Sequence, residues 1–351
     1  MSQRVSQGRQ ADLNFNVNRK ILMFTGASGG HIMPALALRR YFPLAPIVAI
    51  RAGATEALLK DRENVVFIQP LAFKKLSIEA LKDLFRAVLF ALKFRSERIL
   101  CFGSYLNAVG VFCARVSGAK LFFFEPNAVA GKGTALLSCF ADKIFFMFQP
   151  RRKYKNSVLC KFPVSAGKPG RDEARSRLGI DSGKPLILIL GGSQGSSFIN
   201  DLVLRLLPRL GFAQIVHITG EADFMRVNAA YAAHKGKHLI LPACHYMSIL
   251  YSAADAAVSR AGAGTLADLA FYKIPSLLIP YPLAGAHQEK NADFFSDPPS
   301  AIIIRQAEVD EDKILTAIED LVSDNFWKLK ENLAKISLSD DGADLAAKLA
   351  A

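Results

Sequence analysis

A chain of 351 residues exceeds what one hydrophobic core carries, since single cores stop growing at roughly 250–300 residues, so two domains are expected. Apolar residues make up 51% and charged residues 21%, a globular composition that excludes a disordered or fibrous chain. The net charge of +13 calls for an anionic partner, and without zinc-finger spacing or an RNP-like aromatic pattern it favours anionic lipid or a diphosphate over nucleic acid.

Residues 1–18 are polar and basic with no apolar h-region, so they read as a flexible tail and not as a secretory signal. Ile21–Thr25 is a short apolar run that enters a glycine loop, Gly26–Gly30, with a helical pattern from about Pro34. Strand-like runs follow at Pro46–Ile50, Val65–Ile68, Arg98–Phe102, Lys120–Phe124 and Lys143–Phe148, with helical stretches between them. Strands alternating with helices predict a parallel sheet covered on both faces.

The pattern then restarts. Pro185–Leu190 is an apolar strand, Gly191–Gly195 a second glycine loop, and Ser196–Leu210 a helix. Further strands are expected at Gln214–Thr219, His238–Pro242, Ala256–Ser259, Ser276–Pro280 and Ser300–Ile304. Glu308–Ala351 reads as helical, broken near Ser337–Asp341, with its last helix packing back across the molecule. The fold class is therefore α/β, with two similar Rossmann-like doubly wound domains. The join falls in the Gly-, Pro- and Ser-rich Lys161–Lys184, dividing the chain into 19–163 and 164–351.

A helix start behind a glycine loop offers unpaired N–H groups and about half a positive charge, which suits an anion. Three such starts are present, at Gly26–Gly30, Gly191–Gly195 and Gly262–Gly264. Each alone is equally a tight βα turn; together, on parallel sheets, they point to a phosphate-bearing ligand. The first loop is not GxGxxG, and Arg51 stands where an NAD enzyme needs an acid, which leaves NADP as a minor alternative. His31 directly follows that loop, where its imidazole is either structural or a proton acceptor at the cleft mouth.

Five ordered segments carry a family resemblance. They are Thr25–Leu38 (TGASGGHIMPALAL), Phe102–Gly110 (FGSYLNAVG), Phe124–Thr134 (FEPNAVAGKGT), Gly191–Asn200 (GGSQGSSFIN) and Ala254–Ala292, spread over most of residues 20–340. Together they resemble the MurG family, glycosyltransferase family 28, the N-acetylglucosaminyltransferases of peptidoglycan synthesis. The resemblance implies the GT-B fold and inverting transfer of GlcNAc from UDP-GlcNAc to the muramic acid 4-hydroxyl of lipid I, an undecaprenyl-diphosphate-linked acceptor. The product is lipid II. It further implies no cofactor or metal, and a peripheral place on the anionic cytoplasmic face of the inner membrane, within cell wall biogenesis and division.

By resemblance, His31 is the catalytic base, Ser28, Gly29 and Gly30 lie near the donor sugar and diphosphate, and Asn127 binds the sugar or the acceptor. Ser193, Cys244, Ala263, Gly264, Thr265, Leu266, Ala267, Asp268 and Gln288 form the rest of the UDP-sugar site, and Tyr105 and Glu125 lie on the acceptor side. Thr265 is expected to cap its helix and touch phosphate, Asp268 to hold ribose hydroxyls, and Gln288 to bond the donor sugar. Cys244 and Met247 are either uracil neighbours or wall residues. A related enzyme with another UDP-sugar or acceptor, and a catalytically weak nucleotide-sugar-binding homologue, are the alternatives.

The chain departs from the family at several points. Its Asn-Pro-Val-Arg segment reads Phe162-Pro163-Val164-Ser165, which removes a cationic phosphate contact. Ser104 replaces a glycine, Phe124 and Pro126 replace His and Gln, and Asp268 is a methylene shorter than Glu. These changes bear on donor affinity more than on fold. Asp310-Glu311-Asp312 is DxD-like, but as the opening of a helix it complements the dipole. Cys101, Cys113, Cys139, Cys160 and Cys244 lack CxxC spacing, which suits a reducing cytosol. Phe73–Ile99 interleaves Lys74, Lys75, Lys82, Arg86, Lys93, Arg95 and Arg98 with apolar residues, either a solvated basic helix or a membrane-docking one.

Overall fold

The structure, a computed structural model, describes residues 20–51, 56, 59, 62, 64–69, 78–165, 167–283, 287–323 and 327–351, with side chains from residue 82 onward in the helix that begins at 78. The expected tail at 1–18, and Lys74, Lys75 and Leu76 of the basic stretch, lie outside these residues.

In the first half, β1 (Ile21–Thr25) leads to α1 (Gly29–Leu38), followed by β2 (Ile47–Ile50), β3 (Val65–Ile68), α2 (Ile78–Phe94) and β4 (Arg98–Cys101). Next come α3 (Leu106–Ser117), β5 (Lys120–Glu125), α4 (Lys132–Leu137), β6 (Lys143–Phe146) and β7 (Ser157–Leu159). Their strands form a parallel sheet in the order β3-β2-β1-β4-β5-β6-β7. A short link follows, with β8 (Phe162–Pro163) and α5 (Arg171–Leu178).

In the second half, β9 (Leu186–Leu190), α6 (Ser197–Leu206), β10 (Gln214–Ile218), α7 (Phe224–Tyr231) and β11 (His238–Leu241) come first. After them come α8 (Met247–Ala253), β12 (Ala256–Ser259), α9 (Ala263–Tyr272), β13 (Ser276–Leu278), α10 (His287–Asp293) and β14 (Ile302–Ile303). The sheet order is β11-β10-β9-β12-β13-β14, again all parallel. The chain closes with α11 (Glu311–Val322), α12 (Trp327–Lys335), β15 (Ser339–Asp340) and α13 (Ala343–Ala350).

The strand sequences explain the layering. A parallel strand covered by helices on both sides must be apolar throughout, and Ile21–Thr25, Arg98–Cys101 and Leu186–Leu190 are buried at every position. One apolar cluster runs from Ile21, Phe102 and Phe124 through Phe162 to Leu188 and Leu266, so the two halves share a continuous core. Phe124 bridges it, with ring centroids 5.5 Å from Phe102 and 5.7 Å from Phe162.

Three details differ from the sequence reading. α1 begins at Gly29, more than a turn before Pro34, because the glycine loop itself enters the helix. The join is not an open linker: Phe162 and Val164 donate to Leu338 O and Asp340 O (2.8 Å each), pairing β8 with β15. The break expected near Ser337–Asp341 is that strand. Behind it, Asp341 pairs with Arg40 (3.3 Å), and Gly342 packs against Leu38 and Tyr41, tying the C-terminal segment to α1.

Of the basic stretch, Arg98 proves to be buried at the start of β4 beside the Phe122 ring, because β4 is the central strand of its sheet. The exposed face of α2 carries Lys82, Arg86 and Lys93 together with Phe85 (62% exposed), Leu89 (38%) and Leu92 (42%). α3 packs alongside and exposes Phe112 and Val116.

Candidate active site

In each sheet the strand order reverses at one point, and ligands of open α/β sheets bind in the crevice beyond the strand ends there. In the first sheet the switch lies between β1 and β4, so Gly26–Gly30 and Phe102–Tyr105 meet. In the second it lies between β9 and β12, which brings together Gly191–Gly195 and Arg260–Gly262. Four of the five segments quoted from sequence therefore contribute loops at these two switch points.

His31 sits across the first one. A Cβ on Gly26 would lie 2.5 Å from its Nδ1, and one on Gly103 would lie 3.2 Å from its Nε2, so two missing side chains form the slot for the ring. Gly103 (φ 87°) and Ser104 (φ 68°) both take the left-handed conformation that turns the chain there. Nδ1 is buried with no hydrogen-bond partner. Burial lowers the imidazole from its usual 6.5 to about 4, so the ring is neutral at pH 7. With Nδ1 sealed, Nε2 is the nitrogen left to accept a proton.

The starts of α1 and α9 face one another. A Cβ on Gly29 would lie 3.2 Å from Ser193 Cβ, and one on Gly264 would lie 3.9 Å from Gly30 Cα and 3.6 Å from Phe162 Cζ. Their N-cap residues, Ser28 and Gly262, provide no side-chain cap. α6 differs: Ser196 Oγ accepts from Ile199 N at 3.4 Å. Gly191 and Gly195 are also needed for packing, because a Cβ on either would come within 2.3 Å of backbone. Of the three expected anion sites, therefore, two have open helix starts and one is a capped, tightly folded turn.

The residues of α9 divide accordingly. Ala263, Gly264 and Thr265 occupy the first turn. Thr265 does not cap: Gly262 holds that position, and the Thr265 hydroxyl lies 3.8 Å from where its Cβ would be. Leu266 and Ala267 have buried side chains, and Leu266 N already bonds Gly262 O at 2.9 Å, so they line the site from behind. Asp268 bonds the hydroxyl of Tyr251; burial raises its carboxyl to about 7, with that hydrogen bond pulling the other way. Cys244 also neighbours Tyr251, and burial raises its thiol. Met247 begins α8 beside them.

Gln288 Oε1 accepts from Ala261 N (3.1 Å) and Tyr281 N (3.0 Å), which leaves its Nε2 without a partner among the described residues. Glu125 is 3% exposed and serves its own loop, accepting from Asn127 N, Asn127 Nδ2 and Gly131 N. It therefore acts on the cleft through Asn127. Tyr105 donates to Gln69 O at 3.2 Å, holding the rim of the first loop to the end of β3.

Sequence reasoning missed Arg260. Its guanidinium, 5% exposed, donates to Ser196 Oγ, Ile279 O and Pro280 O and lies over Phe198 and Tyr281. It thereby ties together the loops after β9, β12 and β13. An arginine ending an apolar strand just before a glycine turn was the available signal. His287 and Asn291 were also missed, although both lie in the quoted stretch and Asn291 is three residues from Gln288, on one helix face. Where the family carries its Arg, Ser165 is exposed, and Phe162 fills the wall beside Gly264.

Two Rossmann-like domains with opposed glycine turns over a shared cleft define a GT-B glycosyltransferase. Family models agree: residues 21–146 match the glycosyltransferase family 28 N-terminal domain and residues 186–345 its C-terminal domain. A UDP-N-acetylglucosamine–N-acetylmuramyl-(pentapeptide) pyrophosphoryl-undecaprenol N-acetylglucosamine transferase of Rippkaea orientalis is 30% identical over 93% of this chain and 97% of its own. The identically named protein of Listeria monocytogenes is 31% identical over 94% and 97%. Among solved structures, the MurG of Acinetobacter baumannii superposes with a TM-score of 0.69 at 25% identity, covering 95% of this chain and 98% of that one. CalG4, a calicheamicin glycosyltransferase, shares the fold at 12% identity, with a TM-score of 0.64 over 95% of this chain and 97% of its own. The chain belongs to glycosyltransferase family 28.

Proposed function

We propose that this enzyme transfers GlcNAc from UDP-GlcNAc to the muramic acid 4-hydroxyl of lipid I, giving lipid II with inversion at the anomeric carbon. The acceptor oxygen attacks C1, the bond from C1 to the UDP oxygen breaks, and the hydroxyl proton passes to His31 Nε2. Negative charge grows on the departing diphosphate, which the open starts of α1 and α9 stabilise with fixed N–H dipoles. Ser28, Gly29, Gly30, Ser193, Ala263, Gly264 and Thr265 surround that group. Gln288 Nε2 and Asn127 hold the sugar, Asp268 the ribose, and Cys244 flanks the base. Residues 19–163 form the acceptor and membrane-side domain, and 164–351 the donor domain.

The observation that carries this reading is the pair of uncapped helix starts facing each other beside a neutral, partnerless imidazole. The test is radiolabel transfer from UDP-GlcNAc to a lipid I analogue. Wild type is expected to transfer and His31→Ala to lose at least about 100-fold, the usual contribution of a positioned base. Full activity in His31→Ala removes His31 as the base. Normal UDP binding without turnover on any lipid acceptor refutes the transferase reading.

The protein works at the anionic cytoplasmic face of the inner membrane, peripherally. The mixed apolar and basic face of α2, with Phe112 and Val116 of α3 beside it, supports this, because a merely solvated helix face would not expose Phe85, Leu89 and Leu92 together. No helix among the described residues is long and apolar enough to cross a membrane.

A further inference from the structure

Beside the cleft, away from the β8–β15 pairing and the Lys161–Asp344 contact, the hydrogen bonds between the two domains gather on α10. His287 Nδ1 lies 3.1 Å from Val129 O. Asn291, fully buried, accepts from Ala128 N (2.9 Å) and donates to Asn127 Oδ1 (3.1 Å) and to Ala261 O (3.2 Å). Asn291 thus touches the acceptor-side loop of the first domain and the turn that launches α9 in the second. Ala261 is held from both sides by α10, since its N–H bonds Gln288 Oε1 while its carbonyl accepts from Asn291.

The carboxamide of Asn127 is oriented by the same contacts. Its Oδ1 accepts from Asn291, and its Nδ2 donates to Glu125 Oε1. One Nδ2 hydrogen therefore remains for a ligand, and a flipped amide would set oxygen against the Glu125 carboxylate. Parting the domains would break both of Asn291's bonds to the 125–131 loop at once.

We propose that Asn291 is a positioning residue that makes closure of the two domains and orientation of the Asn127 carboxamide a single event. The proposal rests on the glycosyl-transfer reading of the cleft. Asn291 itself touches no substrate. It sets the distance between the acceptor-side amide and the α9 start, and it does so from the helix that presents Gln288. Each bond of this kind shifts an open–closed equilibrium by roughly 2–10-fold, so losing two lowers kcat/KM by about 4–100-fold.

The experiment measures transfer kinetics, UDP affinity and solution radius of gyration with UDP bound, for wild type, Asn291→Ala, Asn127→Ala, the double variant and His287→Ala. Asn291→Ala is expected to keep UDP affinity within about threefold, lower kcat/KM by about 4–100-fold, and enlarge the radius. Added to Asn127→Ala it should cost only about 2–10-fold more, the share of the remaining bond from Ala128 N, because the bond to Asn127 is already gone. His287→Ala, which does not touch Asn127, should keep its full effect in both backgrounds. An Asn291→Ala effect undiminished in the Asn127→Ala background, or an unchanged radius, overturns the proposal. If Asn291→Ala does not fold, Asn291→Ser is measured by the same criteria. Absence of transfer by wild type would instead defeat the functional reading, while scattering would still decide the closure claim.

Discussion

Replacing Gly30 by alanine separates what the fold needs from what the ligand needs. Gly30 is the second residue of α1, its φ is not positive, and a Cβ there meets nothing within 4 Å. The protein itself therefore tolerates the methyl group, and trading glycine for alanine in a helix gains up to about 1 kcal/mol, less in a first turn. For domains of this size that is a Tm rise of about 2–4 °C at most. The same methyl would occupy open space at the α1 start, where the proposed reading puts the donor diphosphate. Displacing a phosphate oxygen from one charge-assisted bond to a helix-start amide forfeits about 1.5–3 kcal/mol, or roughly 10–150-fold in kcat/KM. Thermal melts and radiolabel transfer on the same preparation read both quantities. Gly26→Ala is the contrast, since its Cβ would stand 2.5 Å from His31 Nδ1, and it should lose stability and activity together. A Gly30→Ala enzyme with a raised Tm and wild-type kcat/KM would refute the placement of the diphosphate. A large fall in Tm would show that the glycine serves the fold.

Other perturbations follow from single features. His217, fully buried, has its imidazole lowered from 6.5 to about 4 by burial, so the unfolded chain takes that proton first. Stability present above pH 6.5 is then lost as pH falls towards 4, by up to roughly 3 kcal/mol, and a Tm that stays flat over that window refutes the assignment. Ser104→Gly relieves a left-handed non-glycine residue (φ 68°) and should raise the urea midpoint by an amount worth about 1 kcal/mol or less with transfer intact; a lowered midpoint contradicts this. Phe85→Ser with Leu89→Ser should weaken sedimentation with phosphatidylglycerol vesicles by at least about 10-fold while sparing turnover of a water-soluble acceptor. Unchanged vesicle binding would return α2 to an ordinary solvated helix.

The architecture was legible because its signals are local. Runs such as Leu186–Leu190 are apolar at every position, which only a strand buried on both faces requires, and the glycine turns after them mark where helices begin. Val65–Ile68 and Ala256–Ser259 therefore fall where the sequence places them. The β8–β15 pairing was not legible: it joins Phe162 to Ser339, and two-residue strands carry no periodicity. Within the candidate site, His31, Ser193 and Gln288 were singled out because they stand on or beside the glycine turns and quoted segments. Arg260 and Asn291 act through buried bonds to backbone atoms distant in sequence, and nothing in a neighbouring residue announces such a partner. The roles of Thr265 and Leu266 differed for a geometric reason, since one residue along a helix decides whether an amide is open or already bonded.

One tension in the site resolves into a last prediction. An imidazole at about 4 is a weak base, some 2.5 units below the usual 6.5, and Ser165 brings no cation to the diphosphate. The two facts compensate each other once the donor is bound. A diphosphate charge in the same cleft favours the imidazolium; for an illustrative separation of roughly 7 Å at an effective dielectric of about 20, the gain would be about 2.4 kcal/mol, close to two pH units. The donor therefore raises the base that deprotonates the attacking hydroxyl, and the imidazolium formed by proton transfer supplies the positive charge that Ser165 does not. Two acid limbs should result. That of kcat/KM, which reports the free enzyme, falls as pH drops through about 4, whereas that of kcat, which reports the donor complex, falls near pH 6. Coincident limbs would mean that His31 does not sense the diphosphate, and either another group takes the acceptor proton or the donor lies elsewhere in the cleft.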